Sequence, residues 1–390
     1  MPMKIYKANR TSRSIAVEKT YVKPVKWVCR LENLKSYLKT DVHAKVVKIL
    51  GRGVQGKVTL MKAVIPDWGV LNYVQKLIKV DDDDYSVLKT LPKSFRILLD
   101  DDAHLVNTTS DYARFDLIFK NKRGLLLEPI VELAGLILLS QCVSQKICPN
   151  FPVFYGVVLG NNDFKFDLEL ARGCTFAQWT KTRHGHLEWN AALFQVLIGM
   201  HVMHTRFGMT HDDLHSDNVI VDELPAKLNG KPTYIHYKLN GYSYYVPTFG
   251  KLFLIIDFGR INSNVLNIKW HRKLISKDRK AVKRMGLRIK RKEAYDYYHF
   301  VQYLTSKAPK SIKKDVLDVI TDVAFQDVSL QEFIQTYFNS TLNSFSGKEC
   351  KDGNCMDVKP KGICIVGTYN IDKKIDLDMI PSTLRTCVNN

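Results

Sequence analysis

Residues 208–223, GMTHDDLHSDNVIVDE, constrain this chain more than any other stretch. Eight positions, 211–218, hold three carboxylates, two histidines and an asparagine. Ahead of them, LEWNAALFQVLIGMHVMHTRFG carries apolar residues at three- and four-residue spacing, the pattern of a helix, and stops at Gly208. Behind them comes the β-branched run VIV. Polar groups at this density between two buried elements are costly unless they face a cleft or satisfy one another. The fold must therefore bury both flanks and open the loop.

The rest of the chain supplies two kinds of surroundings. AKVVKIL, KVTLMKAVI and LNYVQKLIKV read as strands separated by glycine and Pro-Asp-Trp-Gly turn signals. Acidic clusters at 81–84 and 100–102 mark an insertion over about 81–125, read as a solvated face. EPIVELAGLILLSQCVSQ is helical, with Pro129 near its start. FPVFYGVVLG and FKFDLELARG form a strand pair around Asn161-Asn162-Asp163. From 187 onward helices dominate, interrupted by tyrosine-rich β pieces over 224–250 and by the buried strand KLFLIIDFG. The expected fold class is α+β: a small β-rich lobe and a larger helical lobe with a cleft between. The boundaries fall at a basic extension 1–44, the first lobe 45–173, the second lobe 174–345 and a C-terminal extension 346–390.

Charge adds a partner class. Lys and Arg number 58 against 39 Asp and Glu, a net +19, which favours anionic partners such as nucleic acid, phosphoprotein or acidic membrane. The excess concentrates in 269–292, KWHRKLISKDRKAVKRMGLRIKRK, with twelve cations and one carboxylate. That segment is expected to engage an acidic protein or nucleic acid. No run of about 18 apolar residues predicts a membrane span. MPMKIYKANRTSRS lacks the apolar core of a secretion signal. The eight cysteines are scattered, which fits a reduced compartment. Cys350, Cys355, Cys364 and Cys387 lack paired C-x-x-C spacing, so a zinc site is not expected.

Three motifs carry chemistry. Gly51, Gly53, Gly56 and Val58 stand in the spacing G-x-G-x-x-G-x-V. Glycines let backbone approach phosphates without a Cβ clash. The following KVTLMKAV alternates like a strand, so a flap between two strands fits better than a dinucleotide turn that opens a helix. On the strand that follows, Lys76 and Lys79 point to opposite faces, and either could hold phosphate oxygens. Finally, His211, Asp213 and Asn218 stand in His-x-Asp-x-x-x-x-Asn, and Asp257 opens Asp-Phe-Gly after 38 intervening residues. A carboxylate at Asp213 can accept a hydroxyl proton. Asn218 and Asp257 offer hard oxygen ligands for Mg²⁺.

Together and in this order, these motifs resemble the signature set of the eukaryotic-type protein kinase superfamily, over about 45–340. The ICPNFPVFYG stretch, the HDDLHSDN form of the loop and the tyrosine-rich segment before Asp-Phe-Gly are most similar to divergent serine/threonine kinases of large cytoplasmic DNA viruses, of iridovirus and giant-virus type. The resemblance implies a bilobal kinase fold, ATP and Mg²⁺ as cofactors, a protein substrate with Ser or Thr, and a host-cytoplasmic or virion setting. It implies that Gly51, Gly53 and Gly56 cover the phosphates and that Val58 and Val74 flank adenine. By the same resemblance Lys76 binds the α- and β-phosphates and Glu132 pairs with it, with Glu128 as the alternative. Glu169 and Ala171 would offer backbone groups to adenine. Asp213 would be the base, Asn218 and Asp257 the metal ligands, and Asp296 the buried brace of the catalytic loop.

Three positions depart from the common pattern. Asp212 replaces the arginine that captures a phosphorylated activation loop. His215 stands where a lysine usually faces the γ-phosphate, as a histidine does in haspin-like and small-molecule kinases. No Ala-Pro-Glu follows Asp-Phe-Gly. Two other functions therefore remain open: a pseudokinase serving as a basic scaffold in a virion, and a kinase of a small molecule or lipid.

Overall fold

The computed structural model describes residues 44–52, 56–65, 69–79, 128–159, 163–263, 296–297, 299–300, 304, 329–340, 348–351, 354–357 and 362–376. The extension 1–43, Gly53, the acidic insertion 81–125, the basic segment 269–292 and Cys387 lie outside these residues. The architecture is mixed α/β, with one five-stranded sheet and several smaller ones.

Strands β1 (Lys45–Arg52), β2 (Gly56–Ile65) and β3 (Gly69–Lys79) form an antiparallel meander. Strands β4 (Phe154–Leu159) and β5 (Asp163–Glu169) complete the sheet in the order β1-β2-β3-β5-β4. In β2, Thr59, Met61 and Ala63 are buried while Lys62 and Val64 are exposed, the period-two alternation of a half-covered strand. On β5 the buried rings of Phe164 and Phe166 stack with centroids 6.0 Å apart.

Helix α1 (Glu128–Ser144) is buried on nearly every side, from Val131 through Val143. A helix that is apolar all round must be enclosed. α1 packs on the strand β4 side and on a 3₁₀ turn at Phe258–Arg260. There the Cβ of Phe258 lies 2.8 Å from where a Cβ on Gly135 would sit, so the approach requires glycine.

A short strand β6 (Cys174–Thr175) leads into helix α2 (Phe176–Trp179), started by a Thr175–Gln178 capping box. Helix α3 (His186–Phe207) follows and ends at Gly208, whose left-handed φ of 49° matches the stop read from sequence. β7 (Met209–Thr210) and β8 (Val219–Glu223) flank the polar loop. Beyond β9 (Lys227–Leu228), strands β10 (Lys231–Leu239) and β11 (Tyr242–Pro247) form the tyrosine-rich hairpin, turning at Asn240-Gly241. β12 (Lys251–Ile255) pairs with β8, and β13 (Asn262–Ser263) with β7. Helix α4 (Leu330–Ser340) packs on α3. Last come the hairpin β14 (Lys348–Lys351) and β15 (Asn354–Asp357), then β16 (Ile363–Asn370), which runs parallel to β10. Among the described residues, no helix is long and apolar enough to cross a membrane.

Asn150, fully buried, fastens the turn after α1 to the centre. Its Nδ2 donates to the Phe253 carbonyl at 2.9 Å, and its Oδ1 accepts from the Tyr237 hydroxyl at 3.1 Å. Its own carbonyl accepts from Ile255 N–H at 2.9 Å. One side chain thus serves β10 and β12 at once. Replacing it strands buried polar groups, each at a cost of about 1–3 kcal/mol. Asn150→Ala should lower the urea midpoint by a corresponding amount with little change in slope, measured by circular dichroism.

Candidate functional site

The site forms where β3, α1, the turn after β12 and the loop between β7 and β8 meet. β3 places Lys76 opposite Val58 on β2 and opposite Phe166 on β5. Opposed and alternate residues share a face, so Val58, Val74 and Lys76 lie on one side of the sheet. Lys79 lies on the other and is exposed.

The Lys76 ammonium donates to both oxygens of Glu132 on α1, at 2.7 and 2.8 Å, and to Asp257 Oδ1 at 2.7 Å. Glu132 is 1% exposed, whereas the Asp257 side chain is 42% exposed. Burial pulls the Lys76 pKa down, but the two carboxylates outweigh it and hold the ammonium above its usual range. Burial raises Asp257, yet Lys76 prevails and keeps its carboxyl below the usual value. Glu132 goes the other way, pushed up to about 7 by burial and by Asp257 despite the pull of Lys76. One cation shared by two carboxylates leaves the more enclosed acid the harder to ionise. Glu128 instead sits beside the turn, its carboxylate 2.9 Å from where a Cβ on Gly259 would fall.

Asp257 itself holds φ of 69°, a left-handed conformation that aims the chain into the Phe258–Arg260 turn. Ile255 pairs with Val219, and Ile256 N–H donates to the Asn218 carbonyl at 3.0 Å. The strand pair thereby carries Asn218 and Asp257 to adjoining backbone positions. Asn218 Nδ2 donates to the Asp213 carbonyl at 2.8 Å, which leaves its Oδ1 as the side-chain acceptor. Asp213 is partly exposed, and Arg260 Nη1 lies 3.1 Å from its Oδ2. His215 starts the Ser216–Asn218 turn, its Nδ1 accepting from Asp217 N–H at 3.2 Å.

A buried carboxylate shapes the loop from beneath. Asp296 Oδ2 accepts from His211 N–H and Oδ1 from Asp212 N–H, both at 2.8 Å. His204 on α3 adds Nε2 at 2.8 Å from Oδ2 and turns Nδ1 to the Tyr297 hydroxyl at 3.0 Å. His211 Nε2 reaches the Ile256 carbonyl at 2.9 Å, tying the loop to the strand before Asp257. Burial would raise Asp296, but its bonds from His204 and His211 hold it below the usual range. Neighbouring Asp212 carries the strain: burial and Asp296 push it up to about 7, against hydrogen bonds from Thr210 and Asn262.

Gly51 and Gly56 lie on the strands beside β3, while Glu169 pairs with Tyr73 on the face opposite Lys76. A Cβ on Gly56 would fall 2.0 Å from the Leu77 carbonyl, so β2 and β3 can close only around glycine there. A Cβ on Gly51 would meet nothing within 4 Å. Glu169 directs its carboxylate to Val153 N–H at 3.1 Å and its N–H to the Val153 carbonyl at 2.8 Å. Ala171 is half-buried against the core, and Arg172 N–H is bound by Asp222 at 2.7 Å. Sequence reading assigned no part to Arg260, His204 or Asn262. Arg260 directly follows Asp-Phe-Gly, the one local signal that marks it. His204 and Asn262 become visible only when α3 and β13 are placed in space.

No family model matches the chain. Over 69 residues it is 36% identical to the probable serine/threonine-protein kinase 380R of Invertebrate iridescent virus 6. The match covers 18% of this chain and 12% of that protein. The likeness to a viral kinase is thus partial, and the chain matches only a small part of that relative's length.

The raised Asp212 pKa has a testable sign. Between about pH 4 and 7 the folded chain keeps a proton that the unfolded chain has released. Its stabilising contribution is therefore present at low pH and lost as pH rises through about 7. Asp212→Asn mimics the protonated form. The variant should match the parent near pH 4 and be the more stable at pH 8, measured by urea unfolding. An unchanged pH dependence would refute the coupling to Asp296.

Proposed function

We propose that the protein is a kinase of bilobal, protein-kinase-like fold that transfers the γ-phosphoryl group of ATP to Ser or Thr hydroxyls of proteins. The observation that carries this reading is Lys76 held between Glu132 and Asp257, beside a loop that presents Asp213 and Asn218. A scaffold has no physical need for a half-buried ammonium gripped on two sides. The partial likeness to a probable viral serine/threonine kinase supports the same reading.

The residues divide the work. Lys76, fixed in direction by Glu132, offers its ammonium to phosphate oxygens. Gly51, Gly53 and Gly56 would let backbone N–H groups approach those oxygens without a Cβ clash. Asp213 takes the proton of the attacking hydroxyl as the new O–P bond forms and the bond to the leaving ADP breaks. Arg260 holds the Asp213 carboxylate in place.

Asn218 Oδ1 and the Asp257 carboxylate would hold Mg²⁺. The described residues contain no cluster of three or more His, Cys, Asp or Glu side chains able to hold a metal. Two oxygens with room for phosphate and water are the set that Mg²⁺ takes at a nucleotide. When bound, Mg²⁺ supplies charge neutralisation on the phosphates.

A second reading, a kinase of a small molecule or lipid, is favoured by His215 in the usual lysine position and by the missing Ala-Pro-Glu. Incubating the purified chain with Mg²⁺, labelled ATP and separate protein, small-molecule and lipid acceptors decides between them. Label on Ser or Thr is expected, and label confined to small molecules or lipids would favour the second reading.

Asp213→Asn and Asp257→Ala should each lower kcat by about 10² or more. Lys76→Ala should abolish ATP binding while Lys79→Ala, on the exposed face, leaves it intact. Parent-like turnover in Asp213→Asn would overturn the assignment.

Activation by loop phosphorylation needs a cation to capture about −2 of charge. Asp212 occupies that place and would repel it. Activity should therefore survive phosphatase treatment unchanged, measured as initial rate before and after. Loss of activity on dephosphorylation would refute this expectation.

A further inference from the structure

The C-terminal strand does not stand apart from the site. β16 lies parallel to β10, and its register jumps between the pairs Tyr234–Cys364 and His236–Thr368. Two residues pass on β10 while four pass on β16, so the strand bulges around Gly367, at φ of +100°. The Lys146 ammonium lies over that bulge, 3.6 Å from where a Cβ on Gly367 would be. Lys146 belongs to the turn that ends α1, the helix that carries Glu132.

The contacts continue past the strand. Asn370 N–H donates to the Lys146 carbonyl at 2.9 Å. Lys373 Nζ donates to the Gln145 carbonyl at 3.1 Å. Gln145 and Asp376 exchange two bonds: Gln145 Nε2 to the Asp376 carbonyl at 2.9 Å, and Asp376 N–H to Gln145 Oε1 at 2.5 Å. The same segment is fixed at its other side. Ile371 is fully buried, its N–H donates to the Lys238 carbonyl at 2.8 Å, and Arg206 on α3 donates to its carbonyl. Asp372 accepts from Asn240 N–H at 2.6 Å.

Two features of α1 show what these bonds do. Lys146 holds a left-handed φ of 56°, a helix-ending conformation usually left to glycine or asparagine. α1 also has no basic residue in its last turn. Lys373 therefore brings the missing positive charge to the carbonyl end of the helix from more than two hundred residues away.

We propose that residues 370–376 act as a strap that positions α1, with Gln145 and Lys373 as positioning residues for the Lys76–Glu132 pair. α1 is a rigid rod, and Glu132 lies about 18 Å from Ser144 along its axis. Near its start the helix rests on the Phe258 turn. The strap fixes its far end to β10 and α3. With both ends held, the rod cannot swing Glu132 away from Lys76. The effect on ATP rests on the phosphotransfer reading, but the positioning itself does not.

The test uses the full chain with Gln145→Ala and, separately, Lys373→Ala, which alters only an exposed side chain. Losing one or two such bonds should speed hydrogen exchange of the α1 amides about 5–30-fold. Exchange in β10 and β11 should stay as in the parent. Lys76 should be acylated faster by an amine-directed reagent, because a loosened pair exposes its ammonium. KM for ATP should rise more than kcat falls, and Lys373→Arg should restore the parent values. Unchanged Lys76 acylation in both variants overturns the proposal, whether or not α1 exchange changes. A parent chain that binds no ATP would instead overturn the phosphotransfer reading, while exchange and acylation still decide the strap.

Discussion

The ammonium of Lys76 is the point on which the arrangement turns. It is donated by a sheet, and its two acceptors come from a helix and from the turn after β12. A buried cation without partners is expensive, and a buried carboxylate hardly less so. The half-buried ammonium therefore makes the full burial of Glu132 tolerable, and Asp257 shares the cation from the more open side. The triad can form only when β3, α1 and the Asp257 turn are all in place, which makes it a sensitive reporter of correct assembly. Such a cluster is poor evidence for stability, since apolar residues would fill the same space at lower cost.

Asp296 plays the corresponding part for the loop. A single carboxylate satisfies two consecutive N–H groups that a helix or strand would otherwise have paired, and the His204 ring adds a third hydrogen bond. Asp212 at φ of 58° and Asp257 at φ of 69° are both held in conformations that L residues rarely adopt. Strain of this kind persists only where surrounding bonds over-determine the backbone. Here the bonds are those of Asp296 beneath Asp212 and of Lys76 against Asp257. The two strained residues stand at either end of the constellation, and the His211–Ile256 bond runs between them.

The strands, the α1 and α3 helices and the stop at Gly208 were legible because periodicity and glycine report local backbone geometry. So was the grouping of Lys76, Glu132, Asp257 and Asn218, through motif spacing and resemblance. Lys79 and Glu128 could be set aside only with strand faces and helix packing in view. The parts that escaped are joined across long sequence intervals. Asn150 meets Phe253, Arg260 meets Asp213 and Gln145 meets Asp376, and none of these pairs shares an element whose period could betray it. The 346–390 stretch read as an appended extension from its mixed composition. Its strand β16 in fact pairs with β10, and a parallel neighbour so far along the chain leaves no turn signal to find.

The local charge of the site runs against that of the whole chain. A molecule of net +19 gathers Glu132, Asp212, Asp213, Asp257 and Asp296 around one lysine, one arginine and a few histidines. Like charges this close cannot all ionise freely, and the burden falls unevenly. Asp257 and Asp296 keep their charge because each owns strong donors, while Glu132 and Asp212 are pushed up to about 7. The net charge of the chain is therefore no guide to the charge at this site. Repulsion inside the cleft has two outlets: protonation of the enclosed acids, or a cation at the open one. Asp257, with its side chain 42% exposed and one oxygen already committed to Lys76, is where a divalent cation relieves most charge for least rearrangement. The electrostatics that make this cluster costly to assemble are thus the same that would favour the Mg²⁺ proposed for it.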